Sequence, residues 1–194
     1  SIYRKAGANI IEQLSIIKFA SRKKAQAIVM ECMAVQPQYQ LITETKMIHS
    51  TLAVLTNVRL DHIDVMGYTL PEISEALGNT IPKKQNLFTA EKLLFRNLKK
   101  IADKRNTRIH LAEENLVTED DMKGFAYIEH KENVALALAV SDHLGIDRKV
   151  ALSGMYKAVP DAGALKLSRV NAFNKKINFF NAFAANDPQS SLMI

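Results

Sequence analysis

The sequence predicts an α/β fold, a mainly parallel sheet flanked by helices. Short apolar runs alternate along the chain with helical patterns of 10 to 15 residues. Two of the runs, AIVMECMA at 27–34 and TLAVLTNV at 51–58, are apolar almost throughout rather than in alternation, as in a strand covered on both faces. Helix start and stop residues fall between the runs where the alternation needs them.

Residues 8–21 carry Ile10, Ile11, Leu14 and Ile17 at helical spacing. Strand 27–34 follows, then a short helix over 38–48 and strand 51–58. Thr69 with Glu72 three residues on is a capping-box pattern, and Pro71 falls in the tolerant first turn of a helix that ends near Pro82. NLFT at 86–89 reads as a strand, 90–104 as a helix, and TRIHLA at 107–112 and FAYIEH at 125–130 as two more strands. A helix over 131–144 stops at Gly145, and Asp147 caps another over 148–158. The stretch 159–175 reads as a long loop or a domain edge, and KINFFNAFA at 176–184 as the last strand.

The 194 residues suffice for one domain with a core, and 47% hydrophobic with 24% charged residues is an ordinary globular composition. No apolar run has the roughly 18–20 residues of a membrane span. The single cysteine, Cys32, excludes a disulfide framework and a Cys-rich metal site. The net charge of +6 suits phosphates, an acidic polymer or an anionic surface, or simply a solvated exterior. The basic residues are dispersed, with no Arg-rich arm and no aromatic RNA-binding motif, which argues against nucleic acid. No GxxxxGK[ST], GxGxxG, GxSxG or HExxH element occurs. The chain starts at Ser1 almost directly in a helix and stops at SSLMI, which reads as a piece of something longer.

In open α/β sheets ligands bind beyond the carboxyl ends of the strands, and four candidates fall there. Glu31 interrupts an apolar run, where a carboxylate must be paired, hold a metal, or turn to solvent. His62 lies in DHIDVMG between Asp61 and Asp64, either a satisfied loop histidine or a ligand oriented by a carboxylate. Asn133 opens a helix, as a cap or as an amide presented to a base. Asn186, with Asp187 and Ser190, follows the last strand in a turn-forming run.

Taken in order, IVMECMAVQPQYQ, LTNVRLDHIDVMGYTLPEISEAL, ENVALALAVSDHLGID, GMYKAVPDAGALK and NAFAANDPQSS resemble the CapB/PgsB family of bacterial poly-γ-glutamate synthase subunits. That family is similar in turn to the Mur ligases and folylpolyglutamate synthase. The resemblance runs from about Arg4 to Leu192 and implies a Mur-ligase-like central ATPase domain over 1–184, with 185–194 opening a linker to a further domain. It implies an ATP-dependent amide ligase that polymerises glutamate: a terminal carboxylate is phosphorylated, and the amine of an incoming glutamate attacks the acyl phosphate. It further implies Glu31 and His62 as catalytic magnesium ligands, Asn133 at adenine and Asn186 at the nucleotide or substrate. The implied partners are glutamate, the growing polymer and membrane subunits of a synthase, at the cytoplasmic face of the membrane, with self-association left open. The alternative from a different class is a non-catalytic assembly module of such a complex.

The sequence departs from the family pattern in several places. These 194 residues contain neither the P-loop nor the C-terminal domain of the family pattern, so the chain by itself is expected to be inactive and to bind ATP weakly. The Lys that supports a second metal in Mur ligases is Leu77 here. The Mur His-Asn pair becomes Glu132-Asn133, and the Asp-Tyr-Ala-His run becomes Ala182 to Ala185.

Overall fold

The computed structural model describes residues 10–160 and 166–181. Helix α1 spans Glu12–Arg22 and α2 spans Pro37–Ile42, running on into a π-helical turn, Thr43–Ile48. Strand β1 is Leu52–Leu55, followed by the single turn α3, Ile63–Met66, and by α4, Leu70–Leu77. Then come β2, Asn86–Thr89, α5, Phe95–Lys104, and β3, Arg108–Leu111. The short α6, Glu119–Met122, precedes α7, Lys131–His143, and α8, Arg148–Tyr156. Strands β4, Lys166–Ala172, and β5, Lys175–Asn181, close the described chain.

The first three strands form one sheet in the order β1-β2-β3. Its parallel sense shows in two bonds flanking the β2–β3 ladder: the Arg108 amide donates to the Gln85 carbonyl at 3.0 Å and the Ala112 amide to Thr89 at 2.8 Å, so both partners advance together. The predicted fold class is thus the observed one. By contact density the chain divides into two compact units, Ser1–Leu87 with Glu91–His110, and Phe88–Ala90 with Leu111–Ile194.

The first unit is built around Leu55, Val58, Ile73, Ile81, Leu87 and Leu98, all buried, with Ile81, Leu87 and Leu98 wholly so. Each such side chain contributes roughly 1.5–3 kcal/mol on burial. The capping box is formed as the sequence predicts: the Thr69 hydroxyl accepts from the Glu72 amide at 3.4 Å, and the Glu72 carboxylate accepts from the Thr69 amide at 3.0 Å. The second unit buries Val134, Leu136 and Leu138 of α7 and Leu152 of α8. Helix α7 ends in a Schellman motif, with Gly145 at φ 71, its amide on Asp142 O at 2.9 Å and the Ile146 amide on Ser141 O at 2.9 Å. Asp147 caps α8 through the amides of Lys149 and Val150.

Three expected elements differ. Residues 27–34 are not a buried strand: the segment has no ladder, and Val29 is 99% exposed. Its carbonyls are taken instead by side chains, Glu31 O by the Gln13 amide at 2.7 Å, and Ala34 O and Val35 O by the Gln40 amide at 3.2 Å each. Residues 125–130 keep the alternation of a strand, half-buried at 125, 127 and 129 and exposed between, but form no ladder. Phe125, the first half-buried position, packs edge-on against Tyr127 and Tyr156. The expected loop 159–175 contains β4, which pairs antiparallel with β5 from Lys166↔Asn181 to Ala172↔Lys175. The two-residue turn is Phe173-Asn174, both at positive φ, the type I′ geometry that Asn-Gly usually signals. The remainder of the expected strand 176–184, and Asn186, lie outside the described residues.

Candidate functional site

His62 follows the carboxyl end of β1, the edge of a parallel sheet where ligands bind. It holds the left-handed conformation, φ 47 and ψ 42, at the start of α3. A non-glycine residue pays for that geometry in free energy, and such positions gather at functional sites. Asp61 stabilises it: one carboxylate oxygen accepts the His62 amide at 2.8 Å, and the other lies 3.6 Å from ring Nε2. Both side chains are about half exposed, 48% and 46%. The carboxylate against Nε2 leaves Nδ1 as the nitrogen for a ligand. Gly67 ends the turn at φ 126, and a Cβ there would lie 2.4 Å from Glu72 Cβ. The turn carrying His62 and the capping box of α4 are therefore packed as one piece.

Glu91 fixes the other end of this loop, and the sequence reading missed it. It is buried, 7% exposed, just past the carboxyl end of β2. One oxygen accepts the Val58 amide at 2.8 Å and the other the Leu94 amide at 2.9 Å. The carboxylate thus ties the loop leaving β1 to the start of α5. The spacing Glu91 to Leu94 was the available signal, read only as part of a helix.

Glu31 is exposed, on the segment that the Gln13 and Gln40 amides hold through its backbone. No group of three or more His, Cys, Asp or Glu side chains that could hold a metal occurs among the described residues. Taken singly, an exposed carboxylate and a half-exposed imidazole are groups a divalent cation can take, but no hydrogen bond or ion pair joins Glu31 to His62. A groove beside α5 and the start of β3 is lined by Phe95, Lys99 and Arg108, and His62 is not among its residues.

In the second unit Asn133 lies in the first turn of α7, whose N-cap is His130. Its side chain does not cap the helix. Its Nδ2 donates to Glu129 Oε1 at 2.9 Å, and the same oxygen accepts the His130 amide at 2.8 Å. The Tyr127 hydroxyl donates to Glu129 Oε2 at 3.2 Å. Burial, then the adjacent Glu129 charge, raises the Tyr127 pKa and keeps it a donor. Glu129 also escaped the sequence reading, although its place four residues before Asn133 is one helical step.

No protein-family profile matches the chain. It is 44% identical over 191 residues to the capsule biosynthesis protein CapB of Bacillus anthracis, aligning 98% of this chain with 41% of that protein. It is 39% identical over 188 residues to PGA synthase CapB of Bacillus subtilis (strain 168), aligning 97% of this chain with 48% of that one. The chain spans less than half the length of these curated relatives. Among solved structures, E. coli FolC in complex with DHPP and ADP superposes with a TM-score of 0.52 at 15% identity, over 63% of this chain and 33% of that one. FolC with ADP and without folate substrate also gives 0.52 at 15%, over 69% and 35%. At this identity the likeness establishes the fold.

Proposed function

Since this chain is CapB-like over nearly its whole length, we propose that it is part of an ATP-dependent ligase that extends poly-γ-glutamate through γ-amide bonds. The observation that carries this is the 39% identity to a protein named PGA synthase, on a fold shared with FolC, whose solved complexes hold ADP. In the proposed reaction a terminal carboxylate oxygen attacks the γ-phosphorus of ATP and ADP leaves. The amine of an incoming glutamate then attacks the acyl carbon, loses a proton, and phosphate departs.

Glu31 and His62 would hold magnesium, with Asp61 orienting the imidazole. The ion would supply neutralisation of charge on the transferred phosphoryl group. Asn133 would contact the adenine, and Asn186, outside the described residues, the nucleotide or substrate. No helix of the described residues is long and apolar enough to cross a membrane. Attachment at the cytoplasmic face through membrane subunits is part of the same proposal.

The test is Glu31→Ala and His62→Ala in the full-length protein, assayed by ATP-dependent glutamate polymerisation. Loss of polymer with each variant is expected. Near-normal activity of both would sink the metal-ligand assignment and favour a non-catalytic assembly role.

A further inference from the structure

We propose that Glu129 is a positioning residue that fixes the carboxamide of Asn133 with its oxygen outward, so that the site offers a purine base an acceptor and selects adenine over guanine. The inference rests on the proposed contact between Asn133 and the base. An ionised carboxylate only accepts hydrogen bonds, so the Asn133 group 2.9 Å from Glu129 Oε1 has to be the nitrogen. Turning the amide over would set its oxygen against the carboxylate oxygen, two acceptors with no proton between them. Glu129 itself cannot swing to relieve this. Its Oε1 also holds the His130 amide, and its Oε2 the Tyr127 hydroxyl. Tyr127 is held in turn by Phe125, whose ring centroid is 5.8 Å away, and Phe125 by Tyr156 at 5.1 Å.

Asn133 Oδ1 makes no hydrogen bond to a described side chain or backbone group. It is therefore available as an acceptor. Adenine presents an exocyclic amine, a donor that such an oxygen satisfies. Guanine presents a carbonyl at the same position and would leave two acceptors facing one another. Sites that leave a polar group unpaired with the wrong substrate discriminate more strongly than sites that differ only in shape.

The experiment uses the full-length protein with ATP or GTP as phosphoryl donor and reads nucleotide KM and kcat separately. Wild type is expected to prefer ATP. Asn133→Ala should raise the ATP KM about tenfold with little change in kcat. Glu129→Ala, which removes the acceptor that fixes the Asn133 amide, should lower the ATP-over-GTP preference about tenfold with kcat for ATP unchanged. Tyr127→Phe removes one tether of Glu129 and keeps the ring, and should shift the preference the same way by about threefold. If Asn133→Ala leaves the ATP KM unchanged, the base contact itself is wrong and the inference falls with it. If Asn133→Ala raises KM while Glu129→Ala and Tyr127→Phe leave the preference unchanged, the base contact stands and the positioning role is overturned. A drop in kcat with both nucleotides and no change in preference would mark Glu129 as merely structural, and also overturns it.

Discussion

Replacing Glu91 by Gln tests how the loop that carries His62 is held. The carboxylate is 7% exposed and gives one oxygen to the Val58 amide at 2.8 Å and the other to the Leu94 amide at 2.9 Å. Glutamine keeps the shape, but one of its two ends becomes an NH2 group facing an N–H donor. One buried amide then has no acceptor, which costs about 1–3 kcal/mol, with the lost charge-assisted bond placing the value near 2 kcal/mol. With a urea m-value of about 2 kcal/mol/M, the unfolding midpoint should fall by about 1 M. The assay is urea unfolding followed by far-UV circular dichroism, paired with hydrogen exchange at the Val58 and Leu94 amides, one of which should lose protection. A midpoint within about 0.2 M of wild type, with both amides still protected, would refute the reasoning.

Three further outcomes are expected. His62→Gly should leave thermal stability unchanged or raise it by up to about 1 kcal/mol, because glycine adopts φ 47 without the penalty of a side chain; a clear loss of stability would show that the imidazole is a structural element. Thr69→Ala removes the hydroxyl of the capping box and should cost about 1 kcal/mol, a drop of about 2–4 °C in Tm. Burial raises the Glu44 pKa above its ordinary 4.5, opposed by the bonds from Ser50. The folded state therefore holds that proton more tightly than the unfolded chain, and the contribution of Glu44 to stability falls as pH rises from the ordinary value through the raised one. Glu44→Gln should flatten the pH dependence of the urea midpoint over that window, and parallel wild-type and variant curves would contradict the assignment.

Several local signals were legible because their partners are close in sequence. The Thr69–Glu72 box, the Asp147 cap and the Gly145 stop depend on groups within a few residues of one another, and each stands where the sequence placed it, as does the strand 86–89. The segments 27–34 and 125–130 have the composition and alternation of strands, but a strand also needs a neighbour for its amides and carbonyls. At 31–35 the glutamines at 13 and 40 supply donors instead, and neither residue type announces that role. The β4–β5 hairpin was hidden by a Phe-Asn turn in place of the usual glycine.

The sequence by itself determined the fold class, the likeness to CapB and the placement of His62 beyond a strand end, because these follow from periodicity, order and motif. Only the tertiary structure decided how those residues are held. Asp61 sets one oxygen against the ring of the next residue, His62, Glu91 reaches across 33 residues to the Val58 amide, and Glu129 accepts from the Asn133 amide nitrogen. A carboxylate accepts whichever donors the fold brings within about 3 Å of it. For Glu91 and Val58 that choice is made by packing in space, and no spacing along the chain encodes it.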